Sequence, residues 1–265
     1  MTVDTAVFFH AHPDDEAIFT GGTMMALAEA GVGVTLVFAT GGELGGDDPQ
    51  MASIRRTETE WSAGVLGVTD VRWLGFRDSG MTLPPRAGSP QEGTDQSAEG
   101  FANQNVASAA AALGRVLDDV GAGCVVGYDE VGIYGHPDHV AVHRVAHAAA
   151  TLVGCPTVYE ATVDREYLHF VESHLVEEAH RSVDLGLVNS MLGTPSVEID
   201  LTVEVASQLA RKRAAMAAHS SQVPAHSSAM RLARADFGDV YGLEWYRRSG
   251  PRSLLDGLST ARAGW

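Results

Sequence analysis

The chain has 265 residues, of which 45% are hydrophobic, 20% charged and 7% aromatic, and its formal net charge is −16. That length allows one large α/β domain or two small ones with a sizeable core. The acidic balance leaves nothing to neutralise phosphates, so nucleic acid and anionic membrane surfaces are excluded as expected partners.

No apolar run approaches the ~20 residues of a membrane span. The start, Met1-Thr-Val-Asp-Thr5, carries no basic segment. A cytoplasmic protein is therefore expected. Cys124 and Cys155 are too few for a disulfide framework, and Cys124 opens an apolar run as a small core residue.

Thr5 to His10 reads as a buried strand, followed by a tight polar turn, Ala11-His-Pro-Asp-Asp-Glu16. Apolar residues at helical spacing then run from Ala17 to Ala30, and Gly31 stops the helix. Val34 to Ala39 is a second buried strand. Strand, helix and strand in so short a span predict a βαβ unit with parallel strands. The stretch Thr40-Gly-Gly-Glu-Leu-Gly-Gly-Asp-Asp48 lacks the spacing of a phosphate-cradling loop and reads as a flexible loop at the ligand edge of the sheet. Ser53 to Leu66 is predicted helical, with Ser53 as cap and Ile54, Trp61, Val65 and Leu66 on its apolar face. Val71 to Phe76 is a third strand, and residues 77–101 form a long loop of the kind that often carries function. An Ala-rich helix spans Asn105 to Val120, and Cys124 to Tyr128 is a fourth strand. After a loop, His136 begins a helix through Val153, with Pro137 at its first position. Thr157 to Val163 is a fifth strand. Beyond it, a strand at Val197 to Leu201, a helix at Val203 to Ala218 and a tail of loops and short helices are expected. The fold class is α/β: a Rossmann-like, mostly parallel sheet with helices on both faces. One domain covers 1–265, with a core at 1–160 and a C-terminal elaboration at 161–265.

Two clusters stand out. The first is His12-Pro-Asp-Asp15. The second is His136-Pro-Asp-His139. Each sits between a predicted strand and helix, where open α/β sheets place their ligands. A catalytic divalent metal takes about three protein ligands and leaves a position for water, and His with carboxylate suits zinc or ferrous iron. His12 and Asp15 lie three apart across the turn. Adjacent Asp14 and Asp15 must point in different directions, so one can bind metal while the other faces the water. His136 and His139 share a helix face: one can ligate and the other can stand beside the site. The bland account is that the acids are helix starters favoured by the helix dipole. Two such clusters at two such junctions weigh against it. His143 and His147 continue the stripe of His139 and are expected to pack or face solvent. So are His169, His174, His180 and His226. His10 is expected in the core, and His219 is left undecided.

At these residues the chain resembles the LmbE-like, or PIG-L, family of metal-dependent N-acetylglucosaminyl de-N-acetylases. The likeness extends to Arg55-Arg-Thr-Glu58, Asp78-Ser-Gly80, Phe101-Ala-Asn-Gln104 and Tyr128-Asp129, with a weaker echo from Lys212 to Gln222. It is nearest in look to mycothiol-pathway deacetylases and mycothiol S-conjugate amidases. The resemblance implies that His12, Asp15 and His139 bind zinc, with ferrous iron as the alternative. It implies Asp14 as general base, His136 as general acid or protonated electrostatic stabiliser, and Asp138 as the residue orienting His136. Tyr134 would aid the oxyanion, and Arg55 and Asp78 would bind substrate. For Arg55 the plain alternative is a solvated helix residue or a bridge to Glu58. Glu16 is expected to close the turn. The implied reaction is removal of N-acetyl from a small amino-sugar conjugate. Its rivals are cleavage of a bulkier acyl amide, metal-dependent phosphoester hydrolysis, and sugar or metal binding without catalysis. The oligomeric state is left open, a homo-oligomer included.

Overall fold

The computed structural model describes residues 4–81, 99–171 and 192–259. Seven strands form one mixed sheet: β1 (Thr5–His10), β2 (Gly33–Thr40), β3 (Asp70–Phe76), β4 (Ala122–Tyr128), β5 (Val158–Thr162), β6 (Leu201–Glu204) and β7 (Leu243–Ser249). Their order is β3-β2-β1-β4-β5-β7-β6. The first five strands run parallel. β7 pairs antiparallel with both β5 and β6. β1 lies at the centre of the five parallel strands because its side chains are apolar on both faces, and five of its six residues are buried.

Strand order reverses between β1 and β4, since β2 extends the sheet to one side and β4 to the other. The crevice at the carboxyl ends of that pair is where such sheets bind ligands. Both His-Pro-Asp clusters emerge there.

The helices are α1 (Gly21–Glu29), α2 (Met51–Leu66), α3 (Val106–Val120), the short α4 (Gly132–Gly135), α5 (Pro137–Val153), α6 (Arg165–Phe170), α7 (Leu209–Ala218), α8 (Ser228–Arg231) and α9 (Arg234–Tyr241). α3 packs on α5, and α5 on β1, β4 and β5; α1, α2 and α7 form a second group. α3 starts at Asn105, whose side chain accepts from the Ser108 N–H.

Four expectations need correction. α2 does not bury Trp61, which is 71% exposed. Its inward face carries Arg55, Glu58, Thr59 and Ser62 instead, because this helix serves a polar site as well as the core. Its first residue is Met51, and Gln50 rather than Ser53 stands at the cap. The strand expected at Val197 to Leu201 begins only at Leu201, and Ser196–Glu198 is a 3-10 turn. The tail, expected as loops and short helices, supplies β7, whose Glu244, Trp245 and Tyr246 are buried.

Candidate active site

Pro13 and the run of acids turn the chain sharply after β1. Asp14 takes φ +88°, a left-handed value that Asp tolerates better than most residues. Glu16 closes this turn as expected: its Oε2 accepts from the Asp14 N–H at 2.9 Å. Its Oε1 accepts from Ser62 Oγ at 2.6 Å and faces His219 Nε2 at 2.6 Å. His219 and Glu16 are both wholly buried, so the undecided histidine belongs to the scaffold of the turn.

On the second corner, Gly132 has φ +65° and lies against α5, where an added Cβ would stand 2.7 Å from the His139 Cβ. Ile133 follows at φ +62°, ψ −61°, a strained γ-turn conformation that a β-branched residue rarely adopts. It sets Tyr134 over the site. His136 caps α5 by accepting the Asp138 N–H on Nδ1 at 3.1 Å.

The two corners meet. Asp15 Oδ2 lies 3.2 Å from His139 Nε2 and 3.5 Å from His12 Nδ1. His12, His136 and His139 offer nitrogens within 4.8 Å of one another. All four residues are buried. Tyr134 Oη is 3.4 Å from His139 Nε2. His10 stays in the core: its Nδ1 meets the Tyr128 hydroxyl at 2.7 Å, and the Tyr128 ring stacks on His139 with centroids 4.4 Å apart.

One expected pairing differs. The Asp138 carboxylate does not orient His136. It faces His12 Nε2 at 3.1 Å and accepts from the Ser79 N–H, Ser79 Oγ and the Ala102 N–H. The reason is helix geometry: His136, as cap, binds the backbone of Asp138, while the Asp138 side chain points towards β1. Asp78 is also drawn inward. It is 5% exposed, lies 3.5 Å from His12 Nε2 and accepts from the Leu44 and Gly80 N–H groups. Ser79, to which the sequence assigns no role, holds Asp138 with both its N–H and its hydroxyl. No sequence spacing signals that link, because the loop after β3 delivers it.

Arg55 is neither solvated nor bridged to Glu58. It is 4% exposed and donates to the carbonyls of Gly42 and Pro13 and to Asp14 Oδ1, the last at 3.2 Å. Cβ atoms at Gly42 and Gly45 would collide with its guanidinium, so part of the glycine stretch is a close wrap around Arg55. Glu58 instead accepts from Ser220 and Ser221.

Electrostatics sort the roles. Burial alone would raise Asp15, but His139 and His12 hold it well below the usual carboxylate range. Burial would lower His12, yet Asp138, Asp15 and Asp78 raise it well above its ordinary value. Three carboxylates around one buried imidazole call for a positive charge, and a dication answers that call. With His12 Nε2 tied to Asp138, Nδ1 is left to face Asp15, the usual arrangement of a carboxylate-backed metal ligand. His12, Asp15 and His139 thus fit a divalent ion. Asp14 is different: burial pushes it up to about 7, against the pull of Arg55. His136 is lowered to about 4 by burial and by its neighbours His12 and His139. That direction favours the neutral imidazole, with Nδ1 accepting from the Asp138 N–H and Nε2 left to carry the proton. Burial keeps the Tyr134 phenol protonated.

A cavity of about 470 Å³ opens beside Asp14 and Asp15, walled by Phe19, Tyr134, Val163, Tyr167 and Trp245 among others.

A family model described as GlcNAc-PI de-N-acetylase, PIG-L, matches residues 7–150, the span that carries both corners. The chain belongs to the PIG-L family. A relative from a Nocardioides species, named 1D-myo-inositol 2-acetamido-2-deoxy-alpha-D-glucopyranoside deacetylase, is 32% identical, with 98% of each chain covered. Among solved structures, the N,N'-diacetylchitobiose deacetylase of Pyrococcus horikoshii shares the fold at TM-score 0.59 and 23% identity, over 93% of this chain and 84% of that one. So does GalB, the 4-carboxy-2-hydroxymuconate hydratase of Pseudomonas putida, at TM-score 0.59 and 17% identity, over 95% and 98%. Those two likenesses speak for the fold alone; chemistry must be argued from the site.

Proposed function

We propose that this PIG-L family hydrolase removes the acetyl group from an N-acetylglucosamine-containing small molecule, using a zinc ion held by His12, Asp15 and His139. The supporting observation is the pair of adjacent carboxylates with opposite electrostatics: Asp15 locked as an anion between two histidines, Asp14 poised near neutrality. A binding protein needs no second carboxylate there, and a phosphoesterase would ask for a second metal and more acids at the same place. The same reading takes 1–265 as one catalytic domain, because β7 inserts beside β5 and Glu244 reaches α1.

When bound, zinc lowers the pKa of a water from ~15.7 towards ~7 and polarises the amide carbonyl. Asp14 accepts the proton of the attacking water. Tyr134 Oη–H and His136 Nε2–H donate to the oxygen on which negative charge develops. As the C–N bond breaks, Asp14, with its affinity near neutrality, returns the proton to the leaving nitrogen. Acetate and a free amine result. Arg55 and the Asp14 N–H···Glu16 bond fix the direction of the Asp14 carboxylate. Asp138, Asp78 and Ser79 hold His12.

A second reading has an observation of its own. The cavity beside Asp14 is far larger than an acetyl group and has apolar walls, which suits an amide bearing a bulkier acyl group. A panel of N-acylglucosamine conjugates, acetyl against bulky acyl, scored for released acid and amine, decides between the two. Asp14→Asn is expected to lose at least ~100-fold in turnover with metal still bound. Near-normal turnover in that variant would remove Asp14 as the base.

A further inference from the structure

One turn beyond His139, α5 carries another pair of histidines. His143 and His147 lie four residues apart, so they share a face, and their ring centroids are 4.7 Å apart. Opposite them stands Glu160 of β5. Its Oε1 is 2.7 Å from His147 Nε2 and 3.4 Å from His143 Nδ1. The three side chains offer ligand atoms that all lie within 4.8 Å of one another. None of them has a part in the hydrolysis described above.

The surroundings favour ligation. His143 Nδ1 is 3.1 Å from the Tyr128 carbonyl. The same Nδ1 is the atom 3.4 Å from Glu160 Oε1, so a proton there is shared with the carboxylate, and ligation by His143 uses Nε2 after a turn of the ring or Nδ1 once that proton is lost. The Glu160 side chain is 9% exposed, against 21% and 33% for His143 and His147. The carboxylate is thus a fixed vertex, and the imidazoles leave solvent access and room for water ligands. Burial would raise Glu160, but His147, His143 and Arg247 bring it below its ordinary range, so it is an anion at neutral pH. Arg247 approaches the other oxygen, Oε2, at 3.7 Å and leaves Oε1 to the histidines. Two imidazoles and one carboxylate suit zinc and its transition-metal neighbours, whereas calcium and magnesium want oxygen alone.

We propose that His143, His147 and Glu160 form a second site for a divalent transition metal, a clamp between α5 and β5 separate from the catalytic cage. The competing account is a buried carboxylate satisfied by two histidines and an arginine, with no ion at all. Bound metal per chain separates them. The full chain is stripped with chelator, equilibrated with zinc at pH 7.5, and its zinc content measured after removal of free ion. Wild type is expected to hold two equivalents, and His147→Ala and His143→Ala one each. Asp15→Ala is expected to lose the cage ion and keep the clamp ion. Because histidine must be neutral to ligate, the clamp equivalent is also expected to leave when the pH is lowered to about 5. The variants alter partly exposed side chains, and circular dichroism checks that they fold; His147→Gln serves if His147→Ala does not. A single equivalent in wild type that Asp15→Ala abolishes would overturn the clamp, as would two equivalents surviving in His147→Ala. Neither result depends on which amide the catalytic site cleaves.

Discussion

Asp14 is set mainly by burial and two charged neighbours. Burial pushes its carboxyl up to about 7, Arg55 pulls it down and Asp15 pushes it up. A base must be deprotonated to act, so kcat/KM is expected to fall as pH drops through the acidic limb, and a bound dication moves that limb lower. Removing Arg55 takes away the charge that favours the Asp14 anion. Arg55→Gln is therefore expected to move the acidic limb up by about one pH unit or more, while Arg55→Lys keeps most of the charge and shifts it less. A pH–rate profile that is the same in all three proteins would mean that Arg55 does not act through Asp14. The residue types of the site were legible in the sequence, since two His-Pro-Asp corners are rare and chemically pointed. Their pairing was not. Asp138 meets His12 from 126 positions away, and Arg55 reaches back across 42 to Pro13. Neither the three-residue spacing within a corner nor helix periodicity can report such contacts.

Among the elements, α2 shows where pattern reading breaks down. Its apolar periodicity is weak because its inner face is half polar: Arg55 and Ser62 are buried against the β1 turn, and Glu58 against Ser220 and Ser221. The strongly apolar strands β1, β2 and β4 were readable to within two residues, because hydrophobic burial on both faces overrides every other signal. The turn after β1 is braced by α2 and by the segment after α7 through Ser62, Glu16 and His219. Burial would lower His219, but Glu16 raises it above the ordinary 6.5. Burial would raise Glu16, but His219 and Ser62 lower it below the ordinary 4.5. The histidine's contribution is full below pH 6.5 and fades as pH rises through its folded value. The carboxylate's contribution is full above pH 4.5 and fades as pH falls through its folded value. The pair therefore stabilises most between about pH 4.5 and 6.5. His219→Asn is expected to cost about 2 kcal/mol in that window and less on either side, as read by denaturant unfolding at a series of pH values. A gap independent of pH would show that the pair is not ionised as argued.

For the whole molecule, the C-terminal segment is part of the sheet that forms the site. Lys212 of α7 and Glu244 of β7 form an ion pair at 2.6 Å with both side chains 1% exposed. The same carboxylate accepts from the Gly22 and Thr23 N–H groups at the start of α1, and Tyr246 Oη adds a bond. One side chain thus joins β7, α7 and the helix that follows the catalytic turn. Glu244→Ala leaves Lys212 buried and unpaired and is expected to lose ~3–5 kcal/mol of stability, with thermal unfolding as the check; a loss under 1 kcal/mol would mean that water reaches the pair. β7 escaped sequence reading because its run is short and ends in Arg247 and Arg248, which suit an exposed tail as well as a strand. Among the described residues no helix is long and apolar enough to cross a membrane.

All of these scales converge on one cage, and acetate release from an N-acetylglucosamine conjugate tests it most directly. Chelation is expected to abolish release in wild type, added zinc to restore it, and Asp15→Ala to stay silent with or without zinc. Release that persists through chelation, or returns in Asp15→Ala, would contradict the account.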